Sequence, residues 1–157
     1  MIALRLPAVS FGAVSAIVTS VGLIIGFGAA EISKPTIIAG LLIVGLADNL
    51  TDSLSIHIYQ ESEKLEEHAA FRATLCNFVT RVFVSMSFVL LVLTLSGAAV
   101  IMASLAWGIL LLVSLTWLVA RGRHANVPTE ILKHLVVAAV VVAVSHAIGM
   151  LIRTYMP

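Results

Sequence analysis

The sequence predicts an all-α integral membrane protein of five transmembrane helices, with its N-terminus cytoplasmic and its C-terminus outside. Three observations carry that expectation. The 157 residues are 61% hydrophobic and only 11% charged, whereas a soluble domain carries about 25% charged residues. The mean hydropathy is +1.13. Apolar runs recur along the chain, and at about 20 residues per crossing five of them use its whole length, so residues 1–157 read as a single transmembrane domain. The net charge of +1 gives no reason to expect a nucleic-acid partner. The single Cys76 excludes an internal disulfide and a multi-cysteine metal site.

The first span is predicted over residues 7–30, with Pro7 suited to a first helical turn. A signal peptide ending near Ala29 and Ala30 is the competing reading. It is disfavoured because the apolar run from Val9 is long and rich in Gly, Ser and Thr. After the loop Glu31-Ile-Ser-Lys-Pro35, the second span covers 35–60 and continues as a polar helix to 68. The third covers 70–95 and ends at the Ser96-Gly97 turn. The fourth covers 98–120. A loop through Arg121, Arg123 and Pro128 leads to the fifth, over 128–155. No stretch alternates with period two over a barrel-strand length.

Basic residues set the expected orientation. With the N-terminus inside, the cytoplasmic side holds Arg5, Lys64, Arg72, Arg121, Arg123 and Lys133, against Lys34 and Arg153 opposite. An odd number of spans agrees with that arrangement. Short loops and the lack of a targeting segment point to a prokaryotic cytoplasmic membrane.

Ionisable groups inside a bilayer are costly and mark ion or proton pathways. The second span starts greasy, then reads Asp48-Asn-Leu-Thr-Asp-Ser-Leu-Ser-Ile-His-Ile-Tyr-Gln-Glu-Ser-Glu63. Steps of three and four put Asp48, Asp52, Ser55, Tyr59, Ser62 and Glu66 on one face, bordered by Glu63, with His57 pointing nearly the opposite way. Such an oxygen ladder suits a hard or borderline divalent cation. It also suits proton exchange, because a carboxyl removed from water takes up a proton more readily. Asp48, Asp52, Ser55, Glu63 and Glu66 are the candidate metal ligands. The acidic turn through Glu61, Glu63, Glu66 and Glu67 is, in the simpler reading, a solvated helix end.

The structural alternative is an ion pair. A hairpin bent near Glu67 sets Asp52 level with Arg81 and Asp48 level with Met86, so Asp52–Arg81 is a candidate buried salt bridge that leaves Asp48 unpaired. Ser15 and Thr19 on the first span, Asn49 and Tyr59 on the second, and Asn77 on the third are candidate pore-lining residues. Gly22 and Gly26 form a GxxxG pattern, a weak motif that favours plain helix packing over a dimer seam. His146 reads as a packed, hydrogen-bonded residue. No phosphate-cradling Gly-rich loop, GxSxG or HExxH occurs, and no nucleophile–base pair is evident, so an enzyme is not expected.

Two stretches carry a family resemblance. Phe11-Gly-Ala-Val-Ser-Ala-Ile-Val-Thr-Ser-Val-Gly-Leu-Ile-Ile-Gly26 resembles the first helix of the vacuolar iron transporter family. Ala47-Asp-Asn-Leu-Thr-Asp-Ser-Leu-Ser-Ile-His-Ile-Tyr-Gln-Glu-Ser-Glu63 is similar to its second, and the closing His-Ala-Ile-Gly149 segment fits as well. The resemblance implies five helices and a homodimer in the lipid bilayer. It further implies export of Fe²⁺ or Mn²⁺ from the cytosol in exchange for protons, with no permanently bound cofactor. This chain departs from the pattern in three places. Ser15 stands where the family's first helix carries an Asp, Asp52 where relatives often have Met, and a short acidic turn replaces the long Glu-rich cytoplasmic domain of the plant and yeast-type members. A metal site moved onto the second span, a different substrate and lost transport are the three readings these departures leave. The sequence thus supports a proton-coupled divalent-metal transporter, with a non-transporting membrane scaffold or accessory subunit, held by an Asp/Arg network, as the alternative.

Overall fold

The structure, a computed structural model, describes residues 5–62 and 67–156. Helix follows helix: α1 (Arg5–Ala29), α2 (Lys34–Ile43), a π-helical turn (Val44–Asp48), α3 (Asn49–Ser62), α4 (Glu67–Thr94), α5 (Ala98–Gly122) and α6 (Val127–Tyr155). The described residues contain no strand. Five stretches are long and apolar enough to cross a membrane, with α2, the π turn and α3 together forming the second over Lys34–Tyr59.

The breaks between helices have local causes. Glu31 takes a positive φ of 56° and ends the turn after α1. Pro35 lies in the first turn of α2, where a missing N–H costs nothing. Lys34 reaches across to the far end of α4, donating from Nζ to the carbonyls of Leu93 and Leu95 at 2.8 and 2.9 Å. Gly97, at φ 60°, opens α5. Asn126 caps α6 by accepting from the Thr129 N–H at 3.4 Å, and Pro128 follows in its first turn.

α1 is the central helix and packs on α4, α6, α5 and α2. Ala13, Ala16, Ile17, Ser20, Val21, Ile24 and Ile25 are all buried along it. The core joins Ile17, Val21, Ile24 and Ile25 to Leu41 and to Phe88, Val89, Val92 and Leu112. α6 lies at the edge; within it only Gly149 is buried among the described residues. There the chains of α1 and α6 touch: a Cβ on Gly149 would lie 2.2 Å from the Gly26 carbonyl oxygen. Gly22 and Gly26 face Ser145 on α6, so the GxxxG pattern packs helices within the chain, as its simpler reading expects. Arg153 pairs with Glu31 at 2.9 Å. The end of α6 therefore lies beside the end of α1, and the two run parallel, as an odd number of crossings requires.

Two expectations about the second span change. It is not one continuous α-helix, because the π turn interrupts it at Val44–Asp48. Nor does its polar extension run to residue 68, since Glu67 and His68 already belong to α4. The other boundaries shift by three residues or fewer.

Candidate functional site

The π turn decides which side chains of the second span face inward. Ile37, Leu41, Gly45, Asn49 and Ser53 are all buried, in strict steps of four. In an α-helix each such step overshoots a full turn by about 40°, so four steps would drift by about 160°. The extra residue of the wide turn takes back the larger part of that drift. Side-chain donors satisfy carbonyls the wide turn loosens: Asn49 Nδ2 donates to the Gly45 carbonyl at 3.4 Å and Thr51 Oγ1 to the Ala47 carbonyl at 3.2 Å. π turns of this kind occur frequently at functional sites.

The inward line is polar from Asn49 onward, and α4 answers it in kind. Gly45 lies against Ser85, whose Cβ would be 3.0 Å from a Cβ placed on the glycine. Antiparallel steps of four then bring Asn49 level with Arg81 and Ser53 level with Asn77. Asn49 Nδ2 also donates to the Phe78 carbonyl at 2.9 Å. Asn49, Ser53, Asn77, Arg81 and Ser85 are all buried. Within this seam Asn49 Oδ1, Ser53 Oγ and both amide atoms of Asn77 have no hydrogen-bond partner. On its other side Asn77 meets α1, since a Cβ on Gly12 would fall 2.6 Å from Asn77 Oδ1.

Arg81 is the centre of the arrangement. Its side chain is 3% exposed, and its guanidinium reaches over the edge of α3. Nη1 donates to Asp52 Oδ2, and Nη2 lies 3.3 Å from Asp48 Oδ2. The expected Asp52–Arg81 pair is therefore present. The expectation that Asp48 stays unpaired is corrected. Asp48 and Asp52 are one turn apart on the same face, and the planar fork of a guanidinium spans both. One guanidinium thus faces two carboxylates, and with both ionised one negative charge is left over. Asp48 lies near the middle of its 26-residue span, about 21 Å along from Lys34.

The aspartates do not sit in the core. Their side chains are 54% and 41% exposed, respectively. Ser55 and Tyr59 are exposed as well, so Asp48, Asp52, Ser55 and Tyr59 form an outer surface of the single chain, while the Ser62 side chain and Glu66, expected on the same face, lie outside what is described. Ser55 Oγ donates to the Thr51 carbonyl at 3.0 Å. α3 packs chiefly on α4 and the adjoining π turn.

The other candidates are placed elsewhere. Asn49 and Asn77 turn into the buried seam and away from the open carboxylate face. Ser15 and Thr19 are half-buried on α1, which makes no extensive contact with α3, so one chain does not bring them to the aspartates. Glu63 and Glu66 lie outside the described residues. Among the described residues no group of three or more His, Cys, Asp and Glu side chains gathers around one point. His146 is exposed on α6. Lys133 pairs with Glu130 at 2.8 Å, at the start of α6.

The seam residues Ser53 and Ser85 were not among the sequence candidates. Their signal was available in the steps of four at 45, 49, 53 and at 77, 81, 85. Comparison with protein-family models, curated proteins and solved structures finds no match to this chain.

Proposed function

We propose that the protein is a proton-coupled transporter of divalent metal ions, Fe²⁺ or Mn²⁺, acting as a homodimer that exports them from the cytosol. The observation that carries the reading is the charge balance of Asp48, Asp52 and Arg81 near the middle of a membrane span. Two carboxylates against one guanidinium leave a negative charge that hydrocarbon does not tolerate. A proton or a cation compensates it, and alternation between the two is an exchange cycle. Asp48 and Asp52 bind the cation, Ser55 adds a hydroxyl oxygen, and Glu63 and Glu66 collect metal at the cytoplasmic mouth. Protonation from the far side releases it. Because the carboxylates open onto the outside of the single chain, a second copy laid over α3 shields them from lipid and supplies further oxygen ligands. The resemblance of the first two spans to the vacuolar iron transporter family points the same way.

One observation favours a second reading, in which the protein is a non-transporting scaffold or accessory subunit. Arg81 holds both aspartates, as a purely structural network would. Exchanging the charges, Asp52→Arg with Arg81→Asp, separates the two. A transporter is expected to regain its fold in the double variant and lose metal flux. Recovery of fold together with full activity in the cell would assign the network to structure.

A further inference from the structure

The described residues place a single cation against the two aspartates, and it belongs to the chain. Arg81 approaches from α4 and is held there by burial, at 2% exposure of the whole residue. Its two terminal nitrogens each take one carboxylate, at Asp52 Oδ2 and Asp48 Oδ2. An incoming cation that uses these oxygens meets a guanidinium already seated on them. We infer that Arg81 is a tethered competitor that sets the affinity of the site and its preference between monovalent and divalent ions. This inference rests on the reading of Asp48 and Asp52 as cation ligands.

A guanidinium carries a permanent positive charge in proteins, so the charge on Arg81 is a fixed part of the site. With it present, one added positive charge makes the group neutral. A divalent ion leaves an excess positive charge unless the guanidinium withdraws. Without it, the two carboxylates match a divalent ion. At about 5 Å and an effective dielectric near 20, repulsion from a guanidinium weakens binding of a unit charge on the order of a hundredfold, and of a divalent ion by about the square of that factor. Arg81 therefore keeps divalent binding weak, which favours release, and it keeps the carboxylates compensated between loads. A purely structural arginine behaves in the opposite way: its removal loosens the hairpin and weakens whatever binds there.

The test is Mn²⁺ binding to the purified full chain in lipid nanodiscs, read by the paramagnetic resonance signal of free Mn²⁺ at constant pH. Wild type, Arg81→Lys, Arg81→Gln and Asp48→Asn are compared. Arg81→Gln is expected to bind at least about tenfold more tightly than wild type, and its melting temperature is expected to rise more with Mn²⁺. Arg81→Lys keeps the charge but lacks the fork, and falls between the two. If Arg81→Gln folds only when Mn²⁺ is present, the metal has taken the guanidinium's place and the inference stands. If Arg81→Gln elutes as a folded species and binds no more tightly than wild type, the inference is overturned. Should Arg81→Gln fail to fold under any condition, Arg81→Lys decides: tighter binding than wild type supports the inference, and equal or weaker binding overturns it. Weaker binding by Asp48→Asn, alongside an unchanged Arg81→Gln, would remove this inference and leave the cation site in place. Binding unaffected by Asp48→Asn would remove the site itself.

Discussion

Buried hydroxyls and amides along this bundle separate residues that hold the fold from residues that tax it. Ser104 and Thr116 lie on the inner stripe of α5, and neither side-chain oxygen has a hydrogen-bond partner. A buried polar atom left unmet costs about 1–3 kcal/mol. Ser104→Ala and Thr116→Val keep the shape and remove the unmet group. Each is expected to raise the unfolding free energy by about 1 kcal/mol, measured by denaturant titration in mixed micelles. A loss of stability would mean that these hydroxyls have partners in the membrane. At this scale the sequence was partly legible. The level of Asp52 with Arg81 follows from counting residues around a hairpin. The second contact, to Asp48, does not follow from level alone, because it depends on the length and fork of the arginine side chain. Asn49 and Asn77 were readable as polar residues within spans, but their meeting in one buried seam depends on how α3 and α4 pack.

Helix positions were legible because apolar runs and Gly/Pro punctuation mark them directly. The π turn was not. Its cause is tertiary: Gly45 is packed against Ser85, and small residues at 45 and 47 raise no local objection to an ordinary α-helix. Without that turn, Asn49 and Ser53 rotate away from α4. The α1–α6 contact is a second feature fixed between elements. At Gly149 the obstacle to a side chain is the backbone oxygen of Gly26, which cannot swing aside. Gly149→Ala is therefore expected to cost about 1–3 kcal/mol. Gly122→Ala, with nothing within 4 Å of the new methyl, is expected to change stability by less than about 0.5 kcal/mol. The same unfolding assay ranks them, and equal effects would contradict the close approach of α1 and α6.

For the molecule as a whole, the open carboxylate face is the feature that a single chain leaves unresolved by its own packing. Asp48 is half-exposed near the middle of an apolar span. The proposed remedy is a second copy across α3. Oxidative crosslinking in native membranes measures this directly, in a Cys76→Ser background. Ser55→Cys is expected to give a covalent dimer. Val136→Cys, exposed on the outer side of α6, is expected to stay monomeric. The reverse pattern would move the interface to α6. The overall architecture was legible from composition, since so few charges and so much apolar length admit few alternatives. Of the carboxylate face only the stripe was legible, because where its members sit in the bundle depends on packing between helices.

If Asp48 carries a cation across the membrane in exchange for protons, flux through the reconstituted protein depends on it. Purified protein is reconstituted into liposomes, and Fe²⁺ or Mn²⁺ uptake is followed under an imposed pH gradient, for wild type and for Asp48→Asn. Uptake is expected to depend on the gradient in wild type and to be abolished in Asp48→Asn, with the variant still folded and dimeric. Undiminished gradient-driven uptake by Asp48→Asn, or no uptake of either metal by well-folded wild type, would contradict it.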